Sequence, residues 1–216
     1  MHLNRISALA ARARTFALRY STDKRGVAAI EFAFIVPIMF VMFVGAVELS
    51  QAITVDRRVT QSASSVADLV ARKETSIGQS EIGDIMKIGG YIFSPYSQSP
   101  LQVVVRNVTS SSTNATNTKQ SWQCTYSGVG ATPVCACMNS TYTIPANLVS
   151  TNDSVVVAEA VYTYTPLIFD YFMKRLPSGA GGAGTYTLSE KIYMKPRGQA
   201  AMLLQENGSP CPSPTF

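Results

Sequence analysis

The chain has 216 residues, of which 46% are hydrophobic and only 14% charged, with a mean hydropathy of +0.12. That charged fraction is low for a water-soluble domain, where about 25% is usual, and the length allows one membrane segment plus one domain of moderate size. The formal charge of +5 is local: residues 1–26 hold six basic residues and one acid, leaving twelve of each sign afterwards. A body with zero net charge and no basic cluster excludes a nucleic-acid partner that would be held by phosphate contacts.

Residues 1–26 read as an amphipathic basic leader. Ile6, Leu9, Ala13, Phe16, Ala17 and Tyr20 recur at helical spacing, and Arg5, Arg12 and Arg19 lie one heptad apart on another face. Such a helix suits an anionic membrane surface. A mitochondrial transit peptide has a similar texture, but it does not normally lead into an apolar span. Lys24 and Arg25 then precede Gly26, and the basic excess predicts a cytoplasmic N-terminus with the rest of the chain outside. Asp56, Arg57 and Arg58 on the far side weaken that asymmetry without reversing it.

From Val27 the chain turns apolar, and Phe32 to Val47 carries no charge. The run is long enough to cross a bilayer as a helix, which takes about 20 residues. A cleaved secretory signal would need a shorter core and a small-residue site at its far end; Gly45-Ala46 is a poor candidate. Glu31 lies inside the first turns, near the cytoplasmic end, where a carboxylate costs less than the roughly 2.5–3.5 kcal/mol of a mid-bilayer charge. In a generic anchor it would reach back to the interface. If the chain were cut after Gly26, Glu31 would be the fifth residue and could pair with the new α-amino group of Val27 on the same or a neighbouring subunit. Pro37 removes one backbone hydrogen bond and is expected to kink the span.

Beyond Ala46 the apolar run thins but its period persists. Val55, Val59, Ala63, Val66 and Val70 form one stripe, with Asp56, Arg57, Gln61, Ser64 and Asp68 on other faces. The spacing predicts one helix continuing from the span to Ala71. A short second helix is expected over Glu81–Phe93, capped by Ser80 and stopped by Gly89-Gly90. Strands are expected at Leu101–Val108, Trp122–Tyr126, Val155–Thr165 and Thr185–Met194. Ser110–Thr118 reads as a loop and Gly128–Pro133 as a turn. Pro166–Leu176 reads as a short helix with Pro166 at its first position, and Pro177–Gly184 as a flexible turn. Three or four antiparallel strands after a long helix make an α+β fold: a leader over 1–26, a transmembrane and amphipathic helix over 27–71, and a small antiparallel-sheet domain over 72–216.

Cys124, Cys135, Cys137 and Cys211 are the only cysteines. An even number in a segment expected outside the cytoplasm suggests disulfides. Cys135 and Cys137 are too close to pair comfortably, so one would join Cys124 and the other Cys211. Free thiols and a metal site are the alternatives, and C-x-C with distant partners matches metal-ligand spacing poorly. His2 is the sole histidine, which excludes a Ser-His or Cys-His centre in the exported domain. Phosphate-loop, dinucleotide, zinc-protease and nucleophile-elbow motifs do not occur. No catalytic residue, metal, cofactor or small-molecule substrate is expected, and the protein does not read as an enzyme.

The run Arg25-Gly26-Val27-Ala28-Ala29-Ile30-Glu31-Phe32 resembles the processing site of type IV prepilins. More closely, the stretch through Phe40 resembles the opening of TadE-like proteins, the minor pilins or pseudopilins of the tight-adherence (Tad/Flp) pilus. In that family a basic residue and glycine precede a small-residue run, Glu-Phe and a proline; Pro37 holds the last place, six residues after Glu31. The resemblance implies a pilin-like fold and cleavage after Gly26 by a prepilin peptidase. It makes Val27 the mature N-terminus and Glu31, followed by Phe32, the pilin-type glutamate. The implied partners are the membrane, other pilin-like subunits, Tad assembly proteins and, transiently, the peptidase. Flp major pilins are very short and carry Glu-Tyr, so a chain of this length with Phe32 looks like a minor component of pilus biogenesis. The implied location is the inner membrane, single-pass, with the C-terminal domain periplasmic or extracellular. The competing reading is an uncleaved single-pass envelope protein whose domain binds a partner or surface.

Overall fold

A computed structural model describes residues 26–168, 170, 184–198, 201–206 and 208–216. The basic leader upstream of Gly26, the expected helix beyond Asp170 and the turn up to Ala183 lie outside the described residues. The chain divides into two compact units, residues 1–47 and 48–216.

Helix α1 runs Val27–Ala71 without interruption and contains Pro37. In the first unit its side chains are almost uniformly exposed, Phe34 at 75%, Met42 at 72% and Phe43 at 67%. Only 6% of its most apolar window is buried within the structure. A core helix of a water-soluble protein buries such a window, whereas this one is long and apolar enough to cross a membrane.

The second unit is built on the rest of α1 and an antiparallel sheet. Val55, Val59, Ala63, Val66 and Val70 are all 0–1% exposed; the one-sided stripe is the helix's contact with its own domain. After α1 come β1 (Ser76–Gly78) and α2 (Gln79–Tyr91). Helix α2 departs from expectation at both ends. Its N-cap is Gly78, with no side-chain cap bond, and it runs straight through Gly89 and Gly90. Those glycines are there for close approach, not termination. The Ser62 hydroxyl donates to the Gly89 carbonyl at 2.9 Å, and a Cβ on Gly89 would stand 2.6 Å from Val66 Cγ2.

The main sheet comprises β2 (Leu101–Ser110), β3 (Thr118–Tyr126), β4 (Val134–Thr141), β5 (Ser154–Tyr164) and β6 (Tyr186–Met194). Its order is β4-β3-β2-β5-β6, every pair antiparallel. Short strands β7 (Leu203–Glu206) and β8 (Ser209–Pro210) form a second sheet with β1, which pairs in parallel with β7. The domain therefore has more strands than sequence periodicity suggests, within the expected α+β class. The four expected strands are present as β2, β3, β5 and β6, β3 beginning four residues early at Thr118. Gly128, at φ +84°, lies in the turn between β3 and β4.

The alternation along β5 assigns its faces. Val156, Ala158, Ala160, Tyr162 and Tyr164 join the core shared with α1 and α2. Val155 and Val157 join a smaller cluster with Val108 and Val149 on the other face. Trp122 is wholly buried, and its indole N–H donates to the Met202 carbonyl at 2.8 Å, so its one polar atom is satisfied. On the outer face Arg106 donates to Glu159 at 2.8 Å and to Gln123 at 2.9 Å. Glu159 is thus ion-paired. Its register partner is Lys191, while Glu190 pairs with Ala160 on the opposite face.

Candidate functional site

The sequence-derived site residues fall in two places. The first is the start of α1. Gly26 is the residue immediately before the helix, and Val27 is its first member. Glu31 follows four residues later, one turn on, where Cβ atoms stand about 5–6 Å apart. Glu31 and Phe32 are exposed, and Pro37 is exposed two turns beyond. Nothing lies within 4 Å of a Cβ built on Gly26. A single charge thus stands on an exposed apolar surface, one turn from the residue expected to become a terminus.

The second place is the cysteine group. Cys124 on β3 and Cys135 on β4 are register partners and are disulfide-bonded. Cys137, two residues on, is bonded to Cys211, 74 positions away, just past β8. This bond fastens the C-terminal segment to the main sheet. Glu206 on β7 sets Oε2 3.1 Å from Cys137 Sγ. The Cys137, Cys211 and Glu206 ligand atoms are close enough for a metal, but both sulfurs are committed to the bridge, so a metal reading does not fit this state. None of the described cysteines is free.

A third feature has no counterpart in the sequence reading. Glu48, first residue of the second unit, ends the uncharged stretch and is 9% exposed. Its carboxylate accepts the backbone N–H of Ile168 at 2.6 Å. Beside it is a cavity of about 450 Å³, walled by Leu49 and Ala52 of α1, Tyr164 and Pro166, and Tyr186 and Leu188 of β6. Tyr164 and Tyr186 are register partners across β5 and β6, as are Tyr162 and Leu188, so each pair of side chains shares a face of the sheet. Tyr164 is 7% exposed, and among the described residues its hydroxyl has no hydrogen-bond partner. Burial first, and the Glu48 charge second, push its pKa above the ordinary tyrosine value. The only sequence signal was the acid itself, at the point where the charge-free run stops. Its partners are more than a hundred residues away and no local pattern could name them.

Comparison with curated proteins and with solved structures returns no match. The N-terminal segment is different: residues 26–68, from the glycine before α1 through nearly all of that helix, match the family model described as TadE-like protein.

Proposed function

We propose that the protein is a membrane-anchored, pilin-like component of a Tad/Flp pilus system, acting as a minor pilin or pseudopilin. The observation that carries this reading is the coincidence of two boundaries. The family match begins at Gly26, and the helix begins at Val27. The leader stays in the cytoplasm, the apolar half of α1 sits in the inner membrane, and the residue 48–216 unit is exported. A prepilin peptidase cuts between Gly26 and Val27. The freed α-amino group of Val27 then pairs with Glu31 of the same or an adjacent subunit. In a low-dielectric surrounding that pairing favours one axial register between packed helices. The exposed apolar surface thus serves first as anchor, then as packing face towards other pilin-like subunits. The alternating role is supported by the exposure of large apolar side chains, Phe34, Met42 and Phe43 among them. Pro37 breaks one backbone hydrogen bond in the span and makes extraction from the bilayer easier at that point.

Intact-mass measurement of protein purified from cells with an active prepilin peptidase tests this directly. The expected product starts at Val27, and Gly26→Leu abolishes it; the open space around Gly26 means the substitution does not disturb packing. Glu31→Ala inserts normally but assembles poorly. A full-length wild-type product would favour the uncleaved envelope protein, whose exported domain binds a partner.

A further inference from the structure

We propose that the end of the residue 48–216 unit around Leu49 is a lipid-contacting surface that sits in the interfacial layer of the bilayer. This rests on the reading of α1 as a membrane anchor. Three segments distant in sequence meet at this end. Leu49 of α1, Pro166 after β5 and Tyr186 of β6 wall one cavity, and the Ile168 N–H reaches the Glu48 carboxylate on α1. Each segment turns large apolar side chains outward here: Leu49 is 62% exposed, Ile53 47%, Leu167 75%, Ile168 37% and Tyr186 59%. Glu48, set among them, is only 9% exposed. Helix α1 exposes its next charges at Asp56 and Arg57, about two turns beyond Leu49. The surface therefore grades from apolar to charged along the helix.

The occupant follows from chain connectivity. The stretch from Val27 to Val47 is about 30 Å long as a helix, which matches the hydrocarbon core of a bilayer. Leu49 is two residues farther on, so at about 3.8 Å per residue its Cα lies within about 8 Å of Val47 whatever course the chain takes. The headgroup layer is roughly 5–8 Å deep on each side of the hydrocarbon. With Val47 at the hydrocarbon edge, Leu49 stays inside that layer, and the side chains grouped with it are carried to the same level. Aliphatic side chains and a tyrosine ring are what this layer holds, the ring with its hydroxyl towards water. The contact adds to the hold of the spanning helix and has to be released when the anchor is drawn out of the bilayer.

The test is tryptophan quenching in the full-length protein reconstituted into phosphatidylcholine vesicles, either ordinary or brominated in the upper acyl chain. Wild type, with Trp122 buried in the core, supplies the background to be subtracted. Leu167→Trp and Tyr186→Trp place probes on the surface at positions already exposed. Ser112→Trp is the control at the opposite end of the sheet: β5 covers about 33 Å from Tyr164 to Ser154, and the Asn152 N–H bonds to the Ser111 carbonyl at 3.0 Å. The expected result is a roughly twofold loss of the added emission in brominated lipid for both surface probes, as for side chains at the headgroup and acyl boundary, with none for Ser112→Trp. Two surface probes guard against one variant that misfolds, which loss of the cooperative thermal transition would show. Surface probes no more quenched than Ser112→Trp, or Ser112→Trp quenched as strongly as they are, overturn the proposal. Phe40→Trp, within the apolar run, reads the anchor separately. If it is quenched while the surface probes are not, the anchor stands and the surface falls; if it is not quenched, the anchor itself is refuted.

Discussion

The two disulfides close loops of very different length, and that difference fixes how much each stabilises the fold. Cys137–Cys211 spans 74 residues and Cys124–Cys135 spans 11. In the chain-entropy picture the long loop contributes about 4.5 kcal/mol at 25 °C and the short one about 2.8 kcal/mol. The loops do not overlap in sequence, so the two contributions are close to additive. Replacing cysteines would confound this with packing, because Cys124 is wholly buried and Cys137 is not. The cleaner perturbation keeps the side chains and changes only the bond. In Cys124→Ala/Cys135→Ala, urea unfolding is compared before and after reduction by a dithiol; the difference isolates the long bridge. Cys137→Ala/Cys211→Ala does the same for the short one. Trp122 is the only tryptophan in the chain, and its indole bonds to Met202, just before β7, so its fluorescence follows the region that the long bridge ties down. The expected gap between the two differences is about 1.7 kcal/mol in favour of the long bridge. Equal differences, or the short bridge contributing more, would refute loop closure as the source of the stabilisation.

Gly89→Ala sets helix propensity against packing: alanine gains about 1 kcal/mol in a helix interior, but its Cβ, 2.6 Å from Val66 Cγ2, forces an overpacking cost of about 1–3 kcal/mol. Net destabilisation is expected, and Val66→Ala in the same chain should recover most of it by thermal denaturation; Gly83→Ala, whose Cβ meets only the Pro133 ring at 3.3 Å, should be neutral or stabilising. Arg106→Ala removes a partner 2.8 Å from a half-buried Glu159, leaving Lys191 at 3.9 Å; a loss of about 1–3 kcal/mol is expected, with Glu159→Gln recovering part of it in a double-mutant cycle. Asp68 is held below the ordinary carboxylate value of 3.8, chiefly by its hydrogen bond to Arg72; burial, second in size, opposes this, and the charges of Arg72 and Arg197 and the hydrogen bond from Arg197 add to the lowering. Its contribution to stability is therefore complete above that value and is lost as pH falls through the depressed one. Asp68→Asn should flatten the fall in melting temperature below pH 3.8, most clearly at low salt because both arginines are exposed; an unchanged slope would count against the interaction.

Local pattern revealed most of the fold where one period held for many residues. The stripe of Val55, Val59, Ala63, Val66 and Val70 gave both the length and the buried face of α1, and the strict alternation of β5 gave its two faces. Strand β4 was missed because its sequence, VCACMNST, has only one β-branched residue before its C-terminal threonine, and little of it is buried. Strands β7 and β8 are four and two residues long; β7 exists because β1, more than a hundred residues earlier, offers a parallel partner, and no window of sequence contains both. Gly89 and Gly90 were misread because a glycine pair signals a stop by backbone freedom and a crossing by absence of side chain, and only the neighbouring helix distinguishes the two. The start of α1 was legible for the opposite reason, since glycine, small residues, glutamate and proline lie within a dozen positions of one another.

The change of surface along α1 constrains function more than any single residue does. From Val27 to Phe43, twelve large apolar side chains are exposed. At about 1.5–3 kcal/mol for each full burial, keeping them in water would forgo on the order of 20 kcal/mol. That exceeds the whole stability of an ordinary domain, which favours an apolar surround for this face. A bilayer and a sheath of similar helices supply that surround equally well, and the energy does not distinguish them. Glu31 does. In a bilayer it is a cost reduced by proximity to the interface, whereas among helices with free termini it gains a cationic partner one turn away. On the proposed reading, a pair between Glu31 and the Val27 terminus of an adjacent subunit would make that charge worth more in an assembly than in the membrane, and would favour transfer from one to the other.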